Sequence, residues 1–129
     1  MTKSIYVAAT SQNDGKTAVS IGLIHAFCDR YPNVGFIKPV GQKYVMVNDE
    51  RIDKDSYLID TICNFGLSIK FLSPIAIPAG FTEHYINNRD FEKVRLEKKL
   101  LFAYDHVKEG RDLVVIEGTG HAGVGSVFD

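Results

Sequence analysis

The sequence predicts an α/β fold: a three-layer arrangement with a parallel sheet between helices. Three observations carry that prediction. Ile5-Tyr6-Val7-Ala8-Ala9 reads as a short buried strand that runs into a polar loop, and a mostly apolar helix begins at about Lys16. Val34-Gly35-Phe36-Ile37-Lys38 reads as a second strand. Strand, helix and strand within about 35 residues make a βαβ unit, which dictates parallel strands and a right-handed crossover. Leu113-Val114-Val115-Ile116 is an unbroken apolar run, as a central parallel strand buried on both faces requires.

The intervening elements follow in order. The first helix spans Lys16 to Arg30. Val19, Leu23, Ala26 and Phe27 mark its apolar face, and Ile21 and Ile24 widen it, which predicts deep packing. Tyr31-Pro32-Asn33 ends it, because proline disfavours helix in the residue before it. Pro39 stops the second strand, and Gly41 to Arg51 reads as a loop. A short helix over Asp55 to Phe65 has Leu58, Ile59, Ile62 and Phe65 on one side, with Asp53 or Asp55 to cap its start. Phe71 to Ile77, with Pro74 inside it, is extended chain or weak strand, and Ala79 to Asn88 is irregular. A long helix over Phe91 to Glu109 has Asp90 as N-cap and Gly110 as its stop. Leu96, Leu100, Ala103 and Val107 form its buried stripe, and Glu92, Glu97, Lys98 and Lys108 its wet side.

Composition narrows the class. A chain of 129 residues fits one domain and can bury a real core. A hydrophobic content of 45% with 24% charged residues is the balance of a soluble globular protein. The net charge of −1 gives no electrostatic case for nucleic acid or an anionic membrane, and no apolar run approaches a membrane span. Ile5 to Ala9 is too short for a signal-peptide core. Cys28 and Cys63 lack metal-ligand spacing and read as small buried thiols in a reducing compartment. The expected location is the cytoplasm.

The chemistry lies at the strand ends. A strand, a loop ending Gly15-Lys16-Thr17 and then a helix is a setting in which backbone N–H groups surround a nucleotide's phosphates. Asn13, Asp14, Gly15, Lys16, Thr17 and Ala18 are the binding residues in this reading. Lys16 reaches the terminal phosphates and the Thr17 hydroxyl sits on Mg²⁺. Thr10 stands where the usual pattern has its first glycine, and Ala9 is the nearest small residue, so the loop is one residue longer than usual. The second strand ends at Lys38 and the third at Glu117. Ligands of open parallel sheets bind outside the carboxyl ends of the strands, so all three groups face one crevice. Glu117 suits a carboxylate that assists Mg²⁺ directly or through water. Lys38 suits an anchor for an anionic substrate or the transferring phosphoryl group, and with Lys16 it makes up the catalytic pair. Asp49, Asp53 and Asp55 compete for a second metal role that capping or solvation explains equally well; Asp55 is the choice. His25 and His106 read as packing or surface residues, and His84 has no partner spacing. His121, in the glycine loop after Glu117, is the only histidine near the crevice, although loop histidines are more often structural or exposed.

These residues carry a family resemblance. Ala9 to Thr17, Lys38-Pro39-Val40 and Glu117-Gly118-Thr119-Gly120 together resemble dethiobiotin synthase and its relatives. That superfamily is of the P-loop-containing nucleoside triphosphate hydrolase type. It includes the cobyrinic acid diamide synthases and domains attached to some phosphate acetyltransferases. The resemblance spans almost the whole chain and makes residues 1–129 the N-terminal portion of such a domain, incomplete at its C-terminus. It implies ATP and Mg²⁺ as cofactors, Thr17, Asp55 and Glu117 as metal ligands, and Lys38 as the lysine that contacts both substrate and phosphate. It also implies a small anionic substrate and a homodimer. The implied activity is that of an ATP-dependent ligase, in which ATP phosphorylates a carbamate formed from a diamine and CO₂ and a ring closes as phosphate leaves. Gln42 stands where dethiobiotin synthases commonly place a small hydroxyl residue, and His121 where they commonly have glycine; both count against diaminopelargonate as substrate. Full members supply later strands that hold the adenine, so this chain alone is expected to be a poor dethiobiotin synthase. A nucleotide-sensing module that regulates an attached enzyme, and a non-catalytic fragment, are the alternative readings.

Overall fold

The computed structural model describes residues 1–9 and 15–119. The elements in chain order are β1 (Lys3–Val7), α1 (Lys16–Cys28), β2 (Val34–Ile37), β3 (Val40–Gly41), β4 (Tyr44–Val47), β5 (Glu50–Asp53), α2 (Lys54–Cys63), α3 (Ile69–Leu72), β6 (Ile75–Ala76), α4 (Phe81–Asn87), α5 (Arg89–Lys108) and β7 (Leu113–Glu117). The main sheet is parallel and runs β1-β7-β2, so β7 sits between two strands that precede it in sequence. Its register pairs Val7 with Glu117 and Ile37 with Ile116. Lys38, one residue beyond β2, is therefore level with Glu117.

Alternate residues of the strands face opposite layers, as the two-residue period of a strand demands. Val34, Phe36 and Val115 pack with Ile24 of α1 and Ile59 of α2. Ile37 and Val114 pack with Ala103 and Val107 of α5 on the other face. The sheet is thus the middle of three layers, as the unbroken apolar run in β7 requires. Gly35 faces α5, where a Cβ would press on Val107 and Arg111.

Several local expectations are corrected. Among the described residues β1 pairs with β7 alone, and Tyr6 and Ala8 are exposed, so it is not the buried strand its apolar letters suggest. In α1 the buried stripe is Lys16, Ser20 and Ile24, at steps of four, whereas Val19 and Ala26 are exposed. Apolar residues surround this helix, so periodicity alone cannot choose its inner face. In α2, Ser56 and Ile59 are buried, while Leu58 and Ile62 face outward. Residues Gly41 to Arg51 are not a loop: β4 and β5 form an antiparallel hairpin. Its two-residue turn, Asn48-Asp49, has φ of 50° and 63°. Positive φ at both central residues is what a type I′ turn requires, and Asn and Asp tolerate it. The stretch read as extended and irregular contains α3, β6 and α4; β6 pairs parallel with β3 through Val40–Ile75 and Gly41–Ala76.

The long helix begins two residues early, with Asn88 rather than Asp90 at its N-cap position. Gly110 follows it with φ 68°, as a stop residue should. Leu96, Ala103 and Val107 are buried as expected, but so is Glu92, which sits against Arg95 and His84 instead of on the wet side. His84 therefore has a partner after all. His106 is a packing residue, stacked on Phe71 with ring centroids 4.3 Å apart. Cys28 is exposed and Cys63 half-buried, so neither is the enclosed thiol expected. No helix among the described residues is long and apolar enough to cross a membrane.

The sheet-facing core should dominate stability. Leu72→Ala, at a fully buried position, is expected to cost about 2–5 kcal/mol in urea unfolding. Leu101→Ala, on the exposed side of α5, should stay within about 0.5 kcal/mol. Equal losses would contradict the assignment of the inner face of α5 and the α3 packing.

Candidate functional site

Lys38 is at the centre of the site. Its ammonium lies 2.9 Å from Asp55 Oδ2, 3.3 Å from Asp53 Oδ2 and 3.6 Å from Glu117 Oε1. The lysine is buried, and its backbone N–H donates to the Leu72 carbonyl at 2.8 Å. Two stretches of chain bring the three carboxylates to it: the β5–α2 junction and the end of β7. Asp53 ends β5 and caps α2: its Oδ1 accepts the N–H groups of Asp55 at 2.9 Å and Ser56 at 3.0 Å, leaving Oδ2 for the lysine. Satisfying the first amides of a helix fixes both the helix start and the carboxylate. Asp55 follows in the first turn of α2 and is the more exposed partner. Glu117 ends β7 and is enclosed.

Glu117 also ties the sheet to α1. Its Oε1 accepts from the Thr17 hydroxyl at 3.3 Å, and its Oε2 from the Ser20 hydroxyl at 3.0 Å. Gly15 opens α1 with φ 82°, and its carbonyl accepts the Val19 N–H at 2.9 Å. Lys16 is buried at this end of the helix and Ala18 is exposed on its first turn. Thus Gly15, Lys16, Thr17, Lys38, Asp55 and Glu117 meet at one edge of the sheet, as the strand-end argument requires. Asn13, Asp14 and His121 lie outside the described residues. Asp49 sits in the hairpin turn and is not a partner of Lys38.

Sequence reasoning missed two contributors, Ser20 and Gly41. Asp53 caps α2 as one of the two expected candidates, but its second role as lysine partner needs the β5–α2 junction to be seen. Ser20 stands one turn after Lys16, and that i, i+4 spacing was the available signal. Gly41 is required for space: a Cβ there would collide with the Asp53 carboxylate.

One ammonium among three carboxylates leaves excess negative charge in an enclosed place. Burial works against the charge of Lys38, but Asp53, Asp55 and Glu117 outweigh it and hold the lysine above its usual pKa. Burial pushes the Asp53 and Glu117 carboxyls up, more than the pull of Lys38 brings them down. Such a site attracts a cation. Among the described residues no three His, Cys, Asp or Glu side chains form a cage for a metal ion. Mg²⁺ does not ask for one, because it takes one or two carboxylates and completes its shell with water and phosphate oxygens. The neighbouring Thr17 hydroxyl and Glu117 carboxylate, with Asp55 on the open side, fit that donor set.

A parallel sheet that delivers a Gly-Lys-Thr helix start, a lysine and a carboxylate to one edge defines a P-loop nucleoside triphosphatase-type α/β protein. The chain belongs to the AAA domain family, whose model matches residues 3–129. It is 24% identical over 120 residues to the ATP-dependent dethiobiotin synthetase BioD of Clostridium novyi, covering 93% of this chain and 50% of that protein. It is 26% identical over 130 residues to a phosphate acetyltransferase of Nitratidesulfovibrio vulgaris, covering 100% of this chain and 17% of that protein. A phosphate acetyltransferase of Haemophilus influenzae is 27% identical over 118 residues, with 92% and 15% covered. The chain therefore spans about half the length of the dethiobiotin synthetase it matches and a much smaller share of the acetyltransferases. The resemblance seen in the motifs is met by these relatives.

The raised carboxyl pKa values have a measurable consequence. A carboxyl with a folded pKa above its unfolded value loses native stability as pH rises through the interval between the two, and the cost is complete above the folded value. Glu117→Gln removes that cost. In Mg²⁺-free buffer the variant should be at least as stable as the parent at neutral pH, with the difference shrinking as pH falls into the ordinary glutamate range. Thermal unfolding from about pH 4 to pH 8 reads this directly. A variant less stable at neutral pH, with a gap that closes as the pH falls, would show that the Glu117 charge is net stabilising.

Proposed function

We propose that this domain binds Mg-ATP at the α1 end of the sheet and transfers its γ-phosphoryl group to a carboxylate or carbamate oxygen, as a dethiobiotin-synthetase-like ligase. The observation that carries the reading is the convergence of Lys38 and Glu117 with the Gly15-Lys16-Thr17 helix start on one strand edge. Lys16 neutralises the terminal phosphates. Lys38 holds the attacking anionic oxygen and the transferring group in line, and a fixed ammonium there stabilises the charge that develops. The oxygen's electron pair forms the new bond to phosphorus, and ADP leaves with the pair of the broken one. Thr17, Asp55 and Glu117 would hold Mg²⁺, which neutralises charge on the β- and γ-phosphates. An amine nitrogen then attacks the carbonyl carbon of the acyl or carbamoyl phosphate, closing a ring or forming an amide as phosphate leaves and the nitrogen gives up a proton. A nucleotide-binding regulatory domain is the second reading, favoured by the two phosphate acetyltransferases in which the matching segment is a small part of a longer chain. The expected setting is the cytoplasm.

Two measurements test this. Calorimetric titration with Mg-ATP should show Lys16→Ala losing about 10- to 100-fold in affinity, the scale of charge-assisted hydrogen bonds. Lys108→Ala, paired at the surface with Asp105, should change affinity by no more than about twofold. Equal losses would remove the loop assignment. In an ADP-release assay with bicarbonate, diaminopelargonate and other amine or carboxylate acceptors, acceptor-dependent turnover should fall at least about 100-fold in Lys38→Arg while Mg-ATP affinity holds. Tight Mg-ATP binding with no acceptor-dependent turnover in the parent would favour the regulatory reading.

A further inference from the structure

A groove of ≈660 Å³ lies between β5, the α3–β6 segment and the middle of α5. None of Lys16, Lys38, Asp55 and Glu117 lines it, so it is separate from the crevice described above. Its volume is that of a small-molecule site.

We propose that this groove binds a small carboxylate carrying a flat apolar body, of the aryl or acyl carboxylate class. Charge on its walls is uneven. Arg51, Lys70, Arg95 and Lys99 line it against only Asp49 and Glu50, which both come from the hairpin end. Arg95 is already held by Glu92, with contacts of 2.9 Å and 2.6 Å. Arg51, Lys70 and Lys99 have no carboxylate within ion-pair distance among the described residues. The apolar lining is aliphatic with aromatic rings among it. Phe71 and Phe102 line the groove with ring centroids 6.1 Å apart, and His106 stacks behind Phe71. Phe102 is 61% exposed although it faces this recess, so a flat ligand gains apolar contact there without displacing any core side chain. Lysines beside exposed aromatic rings accept a carboxylate head and an apolar body together.

The test uses 4-phenylbutyrate as the probe and the neutral 4-phenylbutanol as its isostere, followed in amide proton–nitrogen spectra of the protein. The groove should bind a ligand of the size of 4-phenylbutyrate with a Kd of about 1 mM. Shifts should centre on Lys70, Phe71, Lys99 and Phe102, and the alcohol should bind at least about tenfold more weakly. Lys70→Glu combined with Lys99→Glu should abolish carboxylate binding and leave alcohol binding unchanged, and Phe102→Ala should weaken both. All three positions are exposed, so unchanged thermal unfolding is expected of the variants. Equal affinity for acid and alcohol, an unaffected charge-reversed variant, shifts centred on Lys38, or no saturable shifts would each overturn the proposal. The outcome is independent of whether the crevice acts as a ligase.

Discussion

The rest of the structure depends on how the charge of one enclosed lysine is satisfied. Burying an ammonium costs several kcal/mol unless carboxylates and hydrogen bonds replace its water. Lys38 meets that demand with groups from β5, α2 and β7. Each carboxylate is held by something else in turn. Asp53 is fixed by the α2 amides, and its own N–H donates to Ser73 at 2.7 Å. Glu117 is fixed by Thr17 and Ser20 of α1. The network therefore joins the helix that starts after the phosphate loop to the sheet end and to the hairpin, and a shift in one of these elements moves the charges of the others. Every enclosed side-chain nitrogen and oxygen among the described residues has a hydrogen-bond partner, which is the condition under which such a network rigidifies rather than destabilises.

The same network sets function against stability. Three carboxylates around one ammonium are one or two more than its charge requires. In a purely structural role a neutral partner would serve better, because replacing buried ions by neutral groups is often stabilising. The raised pKa values of Asp53 and Glu117 come first from burial, and the neighbouring carboxylates add to it. A surplus of buried negative charge at a strand edge beside a phosphate loop is the pattern of a functional site, where perturbed titration and charge concentration occur together. Regions that only have to fold lack it: the two core clusters against the sheet are built from aliphatic and aromatic side chains.

The parts of this architecture that were legible in the sequence are those written in unbroken local signals. The apolar run of β7, the Gly-Lys-Thr helix start and the strand-end positions of Lys38 and Glu117 each need only a few neighbouring residues to be read, and all were found. What stayed hidden depended on partners distant in sequence. The position of β7 between β1 and β2 cannot be read from β1, whose letters are apolar while its outer edge is exposed. The inner faces of α1 and α2 were misplaced because both helices carry apolar residues beyond their buried stripe, Val19 and Ala26 in one, Leu58 and Ile62 in the other. The β4–β5 hairpin was missed because its turn is Asn48-Asp49 rather than a glycine-bearing pair, although both residues tolerate positive φ. Glu92 was assigned to solvent on charge alone, when Arg95 and His84 supply the partners that permit its burial.

Two glycines explain why the motif residues stand as they do. Gly41 lies just beyond Lys38-Pro39-Val40, and a Cβ there would overlap the Asp53 carboxylate that holds the lysine. Gly118 follows Glu117, and a Cβ there would overlap the hydroxyl end of Tyr6 on the neighbouring strand. Neither needs a positive φ; both are demands for space. Gly41 lies in β3 and Gly118 follows β7, and each leaves the space that a neighbouring side chain occupies. The small residue and the charged residue in each motif are thus one physical requirement. At Lys38 the Asp53 carboxylate that holds the ammonium fits only because position 41 gives up its side chain. That coupling makes Lys38 with Gly41, and Glu117 with Gly118, more informative as pairs than either lysine or glutamate alone.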